Sequence, residues 1–155
     1  MEPETIIIRP AQAADVSQIC ELVNLLSPKA GNYQDADHAF EYISGNRDYA
    51  LYVAVLGAKV VGTAMCHLQH KLSYNCGCAA HLEDVVVDPA FRGRGVGRAL
   101  VQAAIDFART SGCYKIMLTC WETTGSVQYY ESLGFVRHDV GMRMSLKEEY
   151  PLSRH

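Results

Sequence analysis

Apolar residues along this chain alternate between two periods, and each change of period marks an element. The run Ile6, Ile7, Ile8 in "TIIIRP", closed by Pro10, predicts a first strand. Beyond it Val16, Ile19, Cys20, Val23 and Leu26 recur at helical spacing, which predicts a helix to Leu26 with Asp15 as N-cap. "SPKAGNY" breaks that pattern, and a second helix is predicted over 35–43, ended by Gly45. In "YALYVAVLGAKVVGTAMCHL" two β-rich runs flank Leu56-Gly57-Ala58-Lys59, the signature of a hairpin. "KLSYNCGCAA" reads as a loop or fraying edge and "AHLEDVVV" as a strand. Val96, Leu100, Ala104 and Ala108 then recur every four positions, with Val101 and Ile105 beside them, so a helix is predicted over 96–110 with Gly112 after it. "CYKIMLTC" reads as a strand, "SVQYYESLG" as a short helix closed by Gly134, and "FVRHDVGMRMSL" as one or two antiparallel strands.

Strand, helix and strand in succession around residues 80–120 imply a right-handed parallel crossover. The rest favours antiparallel neighbours. The expected class is α/β (α+β), a mixed, mostly antiparallel sheet with one parallel pair near its middle and flanking helices. With 155 residues, no repeat and no linker-like stretch, a single domain over 1–155 is expected.

Composition narrows the partners. A chain that is 49% hydrophobic and 20% charged is of ordinary globular type. Its net charge of -3 and pI near 6.0 give no nucleic-acid footprint. No apolar run approaches the roughly 18 residues of a membrane span, and "MEPETIIIRP" lacks the layout of a signal peptide, so a cytoplasmic location is expected. Four of six cysteines (Cys20, Cys66, Cys113, Cys120) lie in apolar periodic segments and read as small core residues. Cys76 and Cys78 are too close for a structural zinc pair, and His67, His70 and His81 are scattered, so no metal is expected.

The chemistry concentrates in "VVVDPAFRGRGVGRAL". A strand delivers the chain to a glycine-rich turn that opens a helix. Free N–H groups at a helix start, together with its dipole, favour an anion, and glycine lets backbone approach it closely. Arg92, Arg94 and Arg98 add positive charge. The string is no P-loop, since no Gly-Lys-Ser/Thr follows. It is no dinucleotide fingerprint, since the third glycine would fall on Arg98 or Leu100. A pyrophosphate is the expected ligand, against the plainer reading of a tight turn with solvated arginines.

Arg92-Gly93-Arg94-Gly95-Val96-Gly97 resembles the acyl-CoA pyrophosphate loop of the GNAT N-acetyltransferase superfamily, Arg/Gln-x-x-Gly-x-Gly/Ala. "IIIRPAQAADVSQICEL" resembles its opening strand and helix, and "YYESLGF" its late "YxxxGF" signature. The resemblance spans residues 5–146. It implies a GNAT fold with a splayed pair of strands, acetyl-CoA as co-substrate and a small-molecule amine as acceptor. It implies pantetheine held by the backbone of Val85, Val86 and Val87, and a pyrophosphate on Arg92, Gly93, Arg94, Gly95, Val96, Gly97 and Arg98. Ser126 and Tyr130 would complete the cofactor site. Glu83 is the implied general base and Tyr130 the general acid for the CoA thiolate. Their plainer readings are an ammonium ligand and a packed tyrosine. Asp84 reads as structural. A homodimer is implied as well, with the last strand pairing against the partner.

Three acceptor classes fit. "NCGCAAHLEDVVVDPAFRGRGVGRAL", "GCYKIMLTC" and "VGMRM" resemble glucosamine-6-phosphate N-acetyltransferases, although Thr119-Cys120 and Ser126 depart from that pattern. "HLQHKL", with His67, His70 and Lys71, is similar to aminoalkylphosphonate N-acetyltransferases. "LED" and the Trp121-Glu122 loop are similar to the diamine/thialysine group. Arg137, His138 and Arg143 point toward an anionic acceptor. A GNAT-like module that binds CoA without transferring anything stays open.

Overall fold

The computed structural model describes residues 5–26 and 33–147. Two compact units partition the chain, Met1–Leu118 and Thr119–His155.

The first unit carries a five-stranded sheet in the order β1-β2-β3-β4-β5. Its strands are β1 (Ile7–Pro10), β2 (Tyr49–Leu56), β3 (Lys59–His70), β4 (Cys78–Val87) and β5 (Cys113–Met117). The first four run antiparallel to their neighbours, and β4 with β5 is the parallel pair. Helix α1 is Val16–Val23, α2 is Ala36–Ser44 and α3 is Val96–Thr110. The mixed sheet, its single parallel pair and the predicted 96–110 helix match the periodicity, but the parallel pair lies at the edge of the sheet and not near its middle, because no strand of the described residues follows β5. The first helix stops three residues short of Leu26.

Pleating assigns the two faces. Ile19 and Leu22 of α1 pack with Val53, Val55, Val60 and Val86. On the other face α3 buries Val96, Leu100, Val101, Ala104 and Ala108. Gly62, in register with Ala54, makes room for it. A Cβ on Gly62 would stand 3.0 Å from Leu100 Cδ1 and 3.2 Å from Val96 Cγ1. The absent side chain is what lets α3 lie close on β3.

Asp15 differs from its expected role. It starts α1, but its carboxylate makes no cap bond there. It accepts instead from the Gln12 backbone N–H at 2.7 Å and, through both oxygens, from Arg9 at 2.7 and 2.9 Å. The Arg9 hydrogen bonds hold its pKa below the usual carboxylate range against the cost of burial.

The cysteines divide as well. Only Cys66 is fully buried, while Cys20 and Cys113 are half-buried and Cys120 is exposed. Burial pushes the Cys66 thiol up to about 12. Cys78 and Cys113 stand in register on β4 and β5, with sulfurs 3.5 Å apart.

The second unit contains α4 (Ser126–Ser132), capped by Gly125 at φ +75° after a 3₁₀ turn at Glu122–Thr124. The expected C-terminal strands are not formed. Residues 135–147 lie outside any helix or strand. A strand exists only through a partner's backbone, and none pairs with this segment here.

Candidate active site

Strands β4 and β5 run side by side along the whole of β5. Ladder pairing runs from Cys78↔Cys113 to His81↔Met117 and stops, although β4 continues to Val87. From Leu82 onward, the edge of β4 that faced β5 has no strand partner. Buried or half-buried backbone without a ladder is a ready acceptor for an extended ligand. The Val87 carbonyl is already used, accepting from Arg92 Nε at 3.2 Å.

A bulge in the β3–β4 pairing follows the end of that ladder. Met65 pairs with Glu83 and Thr63 with Val86, so Asp84 and Val85 together oppose one residue of β3. Asp84 takes φ +50°, a left-handed backbone uncommon for any residue but glycine. The slip changes which valine faces inward. Val86 enters the core against α1, while Val85 and Val87 stay half-buried. Of the three valines, only Val85 and Val87 thus have side chains free to line a groove. Strict alternation across Glu83 and Asp84 also ends here. Asp84 is exposed, yet the protein around its carboxylate partly desolvates it. That partial desolvation, and secondarily the Glu83 charge, raises its pKa.

Glu83 is half-exposed and lies on the face shared with His81. Its Oε1 is 2.7 Å from His81 Nδ1. One register row crosses the sheet here: Tyr49 on β2, His67 on β3, His81 on β4 and Met117 on β5. Ring centroids are 5.8 Å apart for Tyr49 and His67, and 5.3 Å for His67 and His81. Burial lowers the His67 pKa, the His81 charge acts the same way, and Glu83 opposes them. A half-buried imidazole that resists protonation is a poor phosphonate clamp. Its neighbour His70 is engaged by Asp48 at 3.0 Å. The sequence reading missed His81 as a partner of Glu83. The available signal was the i, i+2 spacing of "HLE" on a strand, which puts both on one face.

After β4 the chain turns through Pro89–Phe91, with Asp88 accepting from the Ala90 N–H at 2.9 Å and from Lys59 Nζ at 2.7 Å. The Phe91 ring carries Lys59 and Arg94 at 4.9 and 5.2 Å from its centroid. Gly93 and Gly95 take φ +75° and +79°, and Gly95 is the N-cap of α3. A Cβ on either glycine would meet nothing within 4 Å. The space over this turn is open, and the N–H groups that start α3 lie beneath it. Val96 turns its side chain into the core, so its contribution to an anion is its backbone. Gly97 is half-buried in the first turn, and Arg98 is exposed. The turn thus sets exposed Arg92, Arg94 and Arg98 around the N-terminus of α3.

A separate hollow of about 500 Å³ lies among Val16, Cys20, Glu21, Asn24, Ala36 and Asp37 of α1 and the start of α2. It contains neither the glycine turn nor Glu83, and its charged lining is acidic. We place the chemistry at β4. Among the described residues no group of three or more His, Cys, Asp or Glu side chains could hold a metal ion, and no helix is long and apolar enough to cross a membrane.

In the second unit, Tyr130 is half-buried on α4 with the Phe135 ring 5.7 Å and the Tyr129 ring 5.2 Å away. Burial, then the neighbouring Tyr129 and Cys120, push its phenol up to about 12. Ser126 Oγ is 2.6 Å from Thr124 Oγ1. The cations that suggested an anionic acceptor are engaged here. Arg137 lies 3.7 Å from Glu122 and 3.4 Å from Glu131, His138 lies 2.9 Å from Asp139, and Arg143 stacks over Trp121 at 4.5 Å.

Comparison with known proteins bears on these features. Residues 17–135 match the acetyltransferase (GNAT) family. Glucosamine 6-phosphate N-acetyltransferase 1 of Oryza sativa is 37% identical over 141 residues, covering 87% of this chain and 84% of that one. The crystal structure of glucosamine-6-phosphate N-acetyltransferase from Arabidopsis thaliana superposes with a TM-score of 0.84 at 31% identity, over 93% of this chain and all of that one. An aminoglycoside N-acetyltransferase in complex with CoA superposes with a TM-score of 0.79 at 25% identity, over 93% of this chain and 96% of that one.

Proposed function

The chain belongs to the acetyltransferase (GNAT) family, and we propose that it moves the acetyl group of acetyl-CoA to the primary amine of an amino-sugar phosphate, glucosamine 6-phosphate first among them. The observation that carries this reading is the near full-length similarity to a glucosamine 6-phosphate N-acetyltransferase. The stretch of β4 beyond its ladder with β5, and the open space at Gly93 and Gly95, support the donor half.

On this reading residues 1–155 are a single acetyltransferase domain. Acetyl-CoA lays its pyrophosphate over Gly93, Gly95 and the start of α3, flanked by Arg92, Arg94 and Arg98. Its pantetheine arm adds to the free edge of β4 beside Val85, Val86 and Val87. A backbone N–H of that edge would meet the oxyanion that forms when the amine attacks the thioester carbon. Glu83 takes the amine's proton, and Tyr130 serves the departing thiolate. A phenol raised to about 12 is protonated throughout the neutral range, so a donor is always present. The same shift weakens its drive to part with the proton, which favours a strong hydrogen bond to sulfur before full transfer. Tyr130→Phe should therefore lower kcat by about tenfold to a hundredfold and leave acetyl-CoA affinity close to that of the parent. Steady-state kinetics with a separate binding titration check this, and an unchanged kcat removes Tyr130 from the mechanism.

The test of the acceptor is thiol release from acetyl-CoA across glucosamine 6-phosphate, aminomethyl- and aminoethylphosphonate, spermidine and lysine analogues. Glucosamine 6-phosphate should give the highest kcat/KM. Preference for a phosphonate or a polyamine would reassign the acceptor. Turnover of none, with acetyl-CoA still raising Tm, would make the chain a CoA-binding module. A homodimer in the cytoplasm completes the proposal. Met142, Met144 and Leu146 expose apolar side chains at alternate positions of an unpaired segment, as a strand awaiting a partner would. Sedimentation at a monomer mass would count against it.

A further inference from the structure

Glu83 and His81 are closer than their hydrogen bonding explains. Nδ1 of His81 is buried and has no aligned hydrogen-bond partner, yet Glu83 Oε1 stands 2.7 Å away. With no proton between them, the carboxylate and a neutral Nδ1 present lone pairs to each other. A buried acceptor left unsatisfied is costly. One proton placed on either atom, with a small turn of the carboxylate, converts that contact into a charge-assisted hydrogen bond. The side chains differ in access, His81 at 16% exposure and Glu83 at 39%. The carboxylate can thus face a substrate while one of its oxygens faces the imidazole.

We propose that His81 is the relay partner of Glu83, so that the proton released by acetylation is held by the pair and not by the carboxylate alone. This rests on Glu83 being the base. The amine nitrogen forms its bond to the acetyl carbon and gives a proton to Glu83. Glu83 Oε1–H donates to His81 Nδ1, and the proton crosses, leaving carboxylate beside imidazolium. Nε2–H is then lost to water, and exchange with solvent restores the starting tautomer. The departing thiolate takes its own proton separately, so each turnover releases one proton from an ammonium substrate.

The surroundings keep the charge on the pair. His67, in register with His81 on β3, has its pKa lowered by burial and stays neutral. Tyr49 on β2 closes the row behind it, with Tyr42 of α2 against Tyr49. On β5 the residue in register is Met117, and Lys115 is drawn over the Tyr114 ring. Asp84 adjoins Glu83 on β4, and desolvation, then the Glu83 charge, raises its own pKa. His81 does not touch the reacting atoms on this account, and acts through Glu83.

The test uses the full chain and two readouts. His81→Gln should lower kcat about tenfold or more, shift the acidic limb of the kcat/KM profile and leave the acetyl-CoA dissociation constant unchanged. Imidazole added to His81→Ala should restore part of the rate. Imidazole-nitrogen NMR on the resting protein should show the His81 titration moving down in Glu83→Gln. A parent-like pH profile and kcat in His81→Gln would overturn the relay. So would a pH-independent loss with lowered Tm and no imidazole rescue, which would mark a packing role. If the parent acetylates none of the panel amines, the base reading fails on its own. The NMR coupling of His81 to Glu83 is measured without turnover, and an unmoved titration rejects the pair in either case.

Discussion

Gly95→Asp is expected to weaken acetyl-CoA binding by about two to three orders of magnitude, the worth of a like charge within about 4–6 Å of a pyrophosphate at a protein surface. The substitution acts on the ligand more than on the fold, although any side chain at this left-handed backbone carries some strain. Gly95 sits at φ +79° with nothing within 4 Å of where a Cβ would go, so no protein atom is displaced. Aspartate is among the few residues that tolerate a left-handed backbone. It would, however, place a carboxylate over the N–H groups that open α3 and cancel the field of the helix start. Gly95→Ala is the control, adding the methyl without the charge. Isothermal titration of both variants, with Tm in parallel, decides the matter. If the Asp variant binds acetyl-CoA like the parent, the pyrophosphate does not lie over this turn.

Glu83→Gln is expected to reduce kcat by about a hundredfold or more, the usual scale for a removed general base. Acetyl-CoA affinity and Tm should stay near parental values, because the side chain is half-exposed and glutamine keeps its shape. The residual rate should climb with pH, following the fraction of amine that is free before it binds. The alternative role for Glu83 is an ion pair to the substrate ammonium, and it separates cleanly. Loss of a ligand raises the acceptor KM and spares kcat, whereas loss of a base lowers kcat. A raised KM with kcat intact would leave Glu83 a binding residue and remove the premise of the His81 relay.

How much of this was legible in the chain differs residue by residue. The helix over 96–110 and the glycine turn before it were readable because both depend on near neighbours. Apolar spacing sets one, and the φ preference of glycine sets the other. The dual service of Asp15 was readable only in part. An Asp before an apolar period suggests a cap, but Arg9 competes for the same oxygens across a turn. Arg137 and Arg143 looked available in sequence and are occupied in space, since their partners Glu122, Glu131 and Trp121 are not adjacent to them along the chain, whereas His138 is held by its neighbour Asp139. The predicted last strands failed for a related reason. Alternation says that a segment can be a strand, but only a neighbouring backbone makes it one.

The sequence by itself determined the order of elements as far as α4, the family, and the glycine turn that opens α3. Each is fixed by local periodicity or by residues a few positions apart. Tertiary structure alone decided where the β4–β5 ladder ends, that a bulge at Asp84 turns Val86 inward in place of Val85, and that His67, His81 and Glu83 share one patch of sheet. Register and bulges arise from the pairing of strands distant in sequence. A shift of one residue there reverses which side chains face the core and which face a substrate.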